Sequence, residues 1–274
     1  MLRYLSFFAL AACTAEQVPA HDPETGKATA IRNEGVIVEA DGTKILFDPI
    51  YDNNFGDYHE VTAQLAATIA SGAAPYDEVD AVFITHAHGD HFSPDGLVAM
   101  LAQQPEVRLF APAQAVASMR EAAGWSDEFE ARVEPIDVPF GEVATFALEG
   151  TQVQALSVPH AGYPARHQDL QHYVYRVSVS ESARVLHLGD ASHDDALYAP
   201  HEEVLASGRS GIAFVPYWML LEEDGRAMIE TRLRADHVVG IHVPSDVPQA
   251  LKDSGADYFS QLGETRDIPD THEH

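Results

Sequence analysis

Three histidines and an aspartate stand within six residues, in the segment HAHGDH at 86–91. The segment follows the apolar run AVFI at 81–84, which predicts a buried strand. A strand that ends in such a cluster presents these side chains at the edge of its sheet. Nitrogen and oxygen ligands at this density suit Zn²⁺ first, with Fe or Mn as alternatives. A solvated polar loop is the other interpretation, and the strand directly before four candidate ligands disfavours it.

Further histidines and aspartates stand directly after other apolar runs. Each such run predicts a strand, and a sheet would present the residue that follows it at one common edge. The four residues, each with the run before it, are His160 after 154–159, Asp190 after 185–189, His242 after 237–241 and Asp48 after 44–47.

The order of these motifs resembles that of the metallo-β-lactamase superfamily. The resemblance extends from about residue 30 to about residue 260 and involves five ordered motifs. Within the superfamily, the segments GVIVE and KILFDP are most similar to ascorbate-6-phosphate-lactonase-like and phospholipase-D-like hydrolases. The resemblance implies an α/β (α+β) fold, in which two mixed β-sheets form an αββα sandwich with helices on both outer faces.

The resemblance also implies how the ligands divide between ions. Three protein ligands and a water satisfy one tetrahedral ion, so seven ligand side chains indicate two ions. Such ions lie about 3.5–4 Å apart and share a hydroxide, which supplies a nucleophile without a serine or a cysteine. The first zinc would be held by His86, His88 and His160, the second by Asp90, His91 and His242, and Asp190 would bridge the two.

Asp48 is similar in position to the family's carboxylate that accepts a hydrogen bond from a ligating histidine and fixes its orientation. Its alternative role is to cap the turn before Pro49. Two residues, His193 and Tyr217, are candidates for the proton donor to a leaving group. His187 lies within a strand-like run and is predicted to be a packed core residue.

Other residues could shape a substrate pocket. Tyr163 and His167 lie in the loop after His160 and could line it. Residues 218–221 (WMLL) could form an apolar wall for an acyl or lipid-like substrate, although packing in the core is the favoured interpretation. Several β-lactamases of the superfamily use a cysteine at the second zinc. This chain has none there, which favours lactonase, thioesterase or phosphodiesterase activity.

The length of 274 residues, 46% of them hydrophobic, fits one large domain with a sizeable core. Strand-like runs, the first near 30–39, are interspersed with helix-like segments, among them 59–71, 94–103 and 227–235. Ser93 as N-cap and Pro94 in the first turn predict where the second of these helices begins.

The chain is strongly acidic, with 43 acidic and 16 basic residues and a formal net charge of −27. Nucleic-acid binding requires a basic surface, so the nucleic-acid-cleaving activities of the superfamily are disfavoured. We attribute the acidity to solubility rather than to substrate choice, because two metal ions would dominate the field inside the site. We expect a small-molecule or lipid-like substrate and no nucleic-acid partner.

The first 29 residues form a separate region. Residues 1–12, with one arginine and an apolar run, predict a signal peptide for export to the bacterial periplasm. The segment LAAC resembles a lipoprotein cleavage site, so Cys13 is predicted to carry a lipid anchor, the chain's one contact with a membrane. Residues 13–29 predict a flexible tether, and 30–274 the hydrolase domain. A cleaved signal with an incidental cysteine and no export at all are the alternatives.

These observations predict a binuclear zinc-dependent hydrolase, in which a metal-bridging hydroxide cleaves an ester, lactone or phosphodiester bond. A mononuclear iron-dependent sulfur dioxygenase of the same fold shares the opening histidine motif and is one alternative. A non-catalytic metal-binding lipoprotein is another. A degenerate module of that kind would be expected to lack ligands, and none is missing from this sequence.

Overall fold

Two β-sheets packed face to face form the centre of the structure, a computed structural model that describes residues 26–148 and 151–271. The first sheet consists of β1 Gly26–Ala30, β2 Val36–Ala40, β3 Thr43–Phe47, β4 Ala81–Phe83, β5 Arg108–Pro112, β6 Val133–Ile136 and β13 Thr265–Ile268. The second consists of β7 Val143–Leu148, β8 Thr151–Ser157, β9 Tyr173–Ser178, β10 Arg184–His187, β11 Ser210–Pro216 and β12 Ala235–Ile241.

Both sheets are mixed. In the first, with the order β13-β1-β2-β3-β4-β5-β6, the strands from β13 to β3 pair antiparallel and those from β3 to β6 pair parallel. In the second, with the order β12-β11-β10-β9-β8-β7, β10 to β12 are parallel and the remainder antiparallel. The parallel parts of both sheets therefore carry strands whose carboxyl ends share an edge.

Side chains of the strands alternate between an inner core and an outer core. In β3, Ile45 and Phe47 lie in the core between the sheets, whereas Leu46 packs outward against helices. The same alternation separates Val185 from Leu186 in β10. Because both faces of each sheet are covered, the central strands are continuous apolar runs rather than alternating ones.

Helices cover the outer face of each sheet, which confirms the predicted αββα sandwich. The outer core of the first sheet includes residues of the first three helices, and that of the second sheet includes residues of the next three. The helices are α1 Ala63–Ala70, α2 Pro94–Gln103, α3 Ala113–Glu121, α4 Glu202–Ala206, α5 Tyr217–Leu221, α6 Glu223–Met228 and α7 Gln249–Ser254. Short 3₁₀ turns occupy Asp127–Arg132, Asp195–Leu197 and Ala199–His201.

Local capping sets where the helices begin and end. Helix α2 begins as predicted, because Ser93 Oγ accepts a hydrogen bond from the Gly96 amide at 3.0 Å and a proline occupies the first turn. Helix α1 is shorter than the predicted 59–71 and begins after Thr62, whose hydroxyl caps the Leu65 amide. The helix predicted near 227–235 is present with other bounds: α6 covers Glu223–Met228 and passes into a π-helical turn at Ile229–Leu233, and the left-handed Arg234 ends it.

The first strand begins four residues before the predicted boundary between tether and domain. The strand predicted near 30–39 is a hairpin of β1 and β2, and the Ile31 amide closes its turn by donating to the Gly35 oxygen at 2.7 Å. Residues 26–29 belong to β1, which pairs on its other side with β13, so the folded domain begins before residue 30. The predicted signal peptide, Cys13 and the tether up to residue 25 lie outside the described residues and stay predictions.

Among the helices in the described part of the chain, none combines the length and the apolar composition that a membrane crossing requires.

The hydroxyl of Tyr175 connects the two sheets and offers a test of this packing. It donates from β9 to the backbone oxygen of Ile84 at 2.9 Å, next to that of Phe110 at 3.3 Å. We expect Tyr175→Phe to lower the free energy of unfolding by about 1–2 kcal/mol in urea titrations, because a buried carbonyl loses its donor. Tyr198→Phe is the matched control: Tyr198 is fully buried and its hydroxyl has no hydrogen-bond partner, so its removal is expected to be neutral or stabilising. Equal losses in both variants would contradict this account.

Candidate metal centre

The candidate metal ligands meet at one edge of the sandwich, past the carboxyl ends of five strands. β3 and β4 are parallel in the first sheet, and β10 and β12 are parallel to β11 in the second. β8 points the same way as β10, because each is antiparallel to β9. Ligands in α/β folds bind at such carboxyl ends. The residues that follow these strands are Asp48 after β3, 86–91 after β4, His160 after β8, Asp190 after β10 and His242 after β12.

The first group of ligand atoms consists of three imidazole nitrogens and a carboxylate oxygen. His86 Nε2 lies 3.0 Å from His88 Nδ1, and His160 Nε2 lies 3.1 Å from Asp190 Oδ2. All four ligand atoms lie within 4.8 Å of one another. Nitrogen and oxygen donors at this spacing suit a zinc ion.

The second group of ligand atoms shares Asp190 with the first. His91 Nε2 lies 3.5 Å from Asp190 Oδ2, and His242 Nε2 lies 3.2 Å from Asp190 Oδ1. Asp90 Oδ2 is 3.2 Å from His242 Nε2 and 3.7 Å from His91 Nε2. The Asp190 carboxylate therefore faces both groups, as a bridging ligand would.

Several of these converging polar atoms are buried and have no hydrogen-bond partner. Leaving a buried polar atom unpaired costs about 1–3 kcal/mol, so such atoms normally have a partner. A divalent cation suits these atoms, because it binds nitrogen and carboxylate lone pairs together. The residues present therefore fit a metal ion in each group. The unpaired atoms are His91 Nε2, His160 Nε2, His242 Nε2 and Asp190 Oδ1.

Hydrogen bonds behind the rings determine which imidazole nitrogen faces the centre. His91 Nδ1 donates to Asp48 Oδ2 at 2.9 Å, and His160 Nδ1 donates to the backbone oxygen of Ala161 at 2.7 Å. The Asp48 carboxylate is held in turn by the Thr85 amide at 2.8 Å and the Thr85 hydroxyl at 2.6 Å. Contacts of this kind orient a ligating imidazole. Asp48 thus lies behind His91.

Burial and neighbouring charges shift the pKa values of the centre in opposite directions. Burial lowers the pKa of His86 well below its usual value and that of His88 to about 4, which keeps both imidazoles in the neutral, metal-binding form. Burial is the largest single influence on the pKa of His242 and lowers it, but the charges and hydrogen bonds of the surrounding carboxylates, Asp190 first, together outweigh burial and raise the value to about 10. Burial likewise acts most strongly at Asp190 and raises its pKa, but His242, His91 and His160 together outweigh burial and hold the pKa of that carboxyl well below its usual range.

Three positions of the centre use left-handed backbone, with φ of 53° at Gly189, 58° at His242 and 38° at Asp48. Side chains other than glycine adopt this region at a cost, and such strain concentrates at functional sites. At Gly189, a Cβ would lie 2.8 Å from both His172 Nε2 and Thr85 Cβ. Glycine is therefore required at this position.

A model of the β-lactamase superfamily domain matches residues 43–242, more than half of the chain. The chain belongs to the β-lactamase superfamily. The matched range runs from the first residue of β3 to His242, and so includes every candidate ligand described above. A search of curated proteins gives no match to this superfamily member.

Solved structures share the fold of this superfamily member at low sequence identity. Igni18, a metallo hydrolase from Ignicoccus hospitalis, is 18% identical, with a TM-score of 0.58 over 89% of this chain and 98% of that one. A possible metal-dependent hydrolase from Veillonella parvula is 15% identical, with a TM-score of 0.60 over 89% of this chain and 100% of that one. Isothiocyanate hydrolase from Delia radicum gut bacteria is 16% identical, with a TM-score of 0.58 over 89% and 99%.

These likenesses show the shared fold. Membership of the superfamily, together with the two groups of histidine and aspartate ligands, supports a metal-dependent hydrolase.

Three residues of the centre have no clear signal in the sequence. Glu34 is fully buried, and its Oε2 lies 3.3 Å from His91 Nδ1. The ring of Tyr58 packs edge-on against that of His242, with centroids 4.2 Å apart. His172 is buried, and its ring lies 5.1 Å from that of His86. Its Nδ1 donates to the backbone oxygen of Val158.

The structure separates the two predicted proton donors. His193 does not join either ligand group: within the described residues its Nε2 pairs with Glu222 at 3.1 Å. Tyr217 lies nearer to the metal centre. Its ring packs against that of Trp218, and the ring of Trp218 is 5.4 Å from that of His242. Residues at 218–221 form α5, where Met219 is core and Trp218 faces the centre.

The remaining predicted residues lie where their neighbours explain them. His187 is a core residue, stacked on Phe47 at 4.7 Å, as predicted. The ring of His167 lies 4.3 Å from that of His160, and Tyr163 shares a surface cleft with it. Both could therefore meet a substrate.

Asp48 offers a direct test of how the centre is oriented. We expect Asp48→Asn to weaken metal binding about 10- to 100-fold, because an amide in this place turns N–H groups toward the donors of Thr85 or His91. Competition with a chromogenic chelator measures the affinity. Asp52→Asn, at an exposed position in the same loop, is the control and should leave it unchanged. Wild-type affinity in Asp48→Asn would contradict the orienting role.

Proposed function

We propose that this protein is a hydrolase that uses two zinc ions to cleave an ester, lactone or phosphodiester bond in a small-molecule or lipid-like substrate. The observation that carries the proposal is the Asp190 carboxylate, which faces two groups of unpaired ligand atoms at once. One ion would satisfy only one of these groups. The donors are nitrogen and carboxylate oxygen without a thiolate, which is consistent with zinc and leaves iron and manganese as outcomes of the test.

A pair of bound zinc ions would supply Lewis acidity and bring the pKa of a water molecule near 7. The chain's own residues perform the remaining tasks. His86, His88 and His160 hold one ion, and Asp90, His91 and His242 hold the other. Asp48 keeps the Nδ1 proton of His91 directed away from the centre, so that its Nε2 stays available.

Tyr58 is our candidate for the proton donor to the leaving group. Its ring contacts His242 at the rim of the centre, and it is only half-buried, so a substrate can reach it. The loop that carries it is fixed at one end, because the Ser245 amide donates to the Asp57 oxygen at 2.8 Å. A phenol is protonated at neutral pH and can donate a proton or a hydrogen bond. We favour Tyr58 over the predicted His193, whose Nε2 pairs with Glu222.

Metal analysis combined with a hydrolase screen tests the proposed function. We expect the purified wild-type chain, supplied with zinc, to bind two ions and to hydrolyse at least one member of a panel of carboxylic esters, lactones, thioesters and phosphodiesters. His88→Ala should lose more than about 100-fold of this activity, since it removes a ligand of the first ion. His193→Ala, outside both ligand groups, is the control and should keep it.

Other outcomes would replace the proposal. Predominant iron with oxygen consumption would favour the redox alternative. Tight metal binding without turnover of any substrate would favour a non-catalytic metal-binding protein. Hydrolysis that survives His88→Ala would place the reaction elsewhere in the chain.

Leaving-group dependence tests Tyr58. We expect Tyr58→Phe to slow hydrolysis of an alkyl ester about 100-fold, because an alkoxide needs a proton to depart. Hydrolysis of the matching nitrophenyl ester should change little, since nitrophenolate leaves without one. Tyr217→Phe is the matched control and should retain both rates, and metal content should be unchanged in both variants. A selective loss in Tyr217→Phe instead would assign the role to Tyr217.

A further inference from the structure

A buried glutamate lies behind the second group of ligands. Glu34 is 1% exposed, and neither of its carboxylate oxygens has a hydrogen-bond partner among the residues that the structure describes. Its Oε2 lies 3.3 Å from His91 Nδ1, and it belongs to a cluster whose ligand atoms, from Glu34, His91, Asp190 and His242, lie within 4.8 Å of one another. A carboxylate buried without hydrogen bonds is strongly unfavourable unless a cation compensates its charge or a proton neutralises it.

No side chain supplies that compensation fully. Within residues 26–148 and 151–271, His91 is the one basic side chain within ion-pair distance of Glu34. The Nδ1 proton of His91 is already directed at Asp48, 2.9 Å away, and its Nε2 faces Asp190. A His91 that serves as a metal ligand is a neutral imidazole and cannot balance a carboxylate.

The charge of the whole centre shows what could balance it. Four carboxylates, each no more than 5% exposed, surround the histidines: Glu34, Asp48, Asp90 and Asp190. Two divalent cations carry the same amount of positive charge as four carboxylates carry negative charge. As long as the metal-bound water is neutral, the centre without Glu34 would be one negative charge short of this balance.

We propose that Glu34 is a charge-balancing carboxylate of the metal centre, which strengthens binding of the second ion from behind His91. The proposal rests on the proposed two-ion function. Glu34 acts as a positioning residue rather than a catalytic one, because it lies behind a ligand and not at the substrate side. It also accounts for the presence of a glutamate in a buried turn between two strands.

A purely structural role for Glu34 makes a different prediction. The backbone of Glu34 is fixed independently of its carboxylate, because its carbonyl oxygen accepts from His187 Nε2 at 2.9 Å and the neighbouring Gly35 closes the turn with Ile31. If the side chain only filled space, its replacement would affect the metal-free and the metal-loaded protein equally. If it balances the charge of the ions, its replacement leaves the metal-free protein as stable or more stable and lowers the stabilisation that metal binding gives.

Glu34→Gln, which keeps the shape and removes the charge, separates the two roles. Stepwise affinities come from chelator competition with Zn²⁺ and from the visible spectrum of Co²⁺ added to the metal-free chain. We expect the affinity for the second ion to fall about 10- to 100-fold, with a smaller change for the first. The melting temperature of the metal-free variant should equal or exceed that of the wild type, while its rise on adding Zn²⁺ should be smaller.

Two further variants complete the test. Glu34→Asp keeps the charge and should recover most of the lost affinity. Glu222→Gln removes a carboxylate that pairs with His193 away from the ligand groups, and should match the wild type. Unchanged affinity for both ions in Glu34→Gln, or an equal fall in melting temperature with and without Zn²⁺, would overturn the inference about Glu34 and leave the proposed function intact. A wild-type chain that binds no second ion would overturn the proposed function, and this inference with it.

Discussion

The carboxylate of Asp190 is the group around which the rest of the centre is arranged. It is almost fully buried, and three histidines lie within 3.5 Å of its oxygens: His91, His160 and His242. Burial alone would neutralise such a group, and the surrounding positive charge instead keeps its pKa low. Its backbone follows a left-handed glycine that no side chain could replace without a clash. The fold therefore accepts local strain in order to place one ionised carboxylate between two groups of imidazoles.

The sandwich makes this arrangement possible by bringing distant segments to one edge. The five strands that precede the site residues are buried on both faces, which fixes their ends, while the loops beyond them remain free to carry polar groups. Asp48 and Glu34, from neighbouring strand ends of the first sheet, lie behind His91. The second sheet supplies His160, Asp190 and His242. Neither sheet alone holds a complete group of ligands.

The ligands themselves could be predicted, because each stands directly after an apolar run, a local feature that a sequence displays. The residues around them could not be predicted in the same way. Glu34 lies in a turn inside what the sequence presents as one long strand, so its burial depends on β1 pairing with both β2 and β13. Tyr58 lies in an irregular loop beside His242, and a hydrogen bond between Ser245 and Asp57, which are far apart in the chain, helps to hold this loop.

Closeness in sequence to a ligand does not by itself place a side chain in a ligand group. His193 is three residues from Asp190, yet the chain turns after the ligand and the ring pairs with Glu222 instead.

The most direct test of a two-ion centre around Asp190 is anomalous X-ray diffraction from crystals of the zinc-loaded protein, recorded at the zinc absorption edge. The account predicts two strong peaks about 3.5–4 Å apart, one on each side of the Asp190 carboxylate. A single peak within the first group of ligands, or zinc bound away from Asp190, would contradict it.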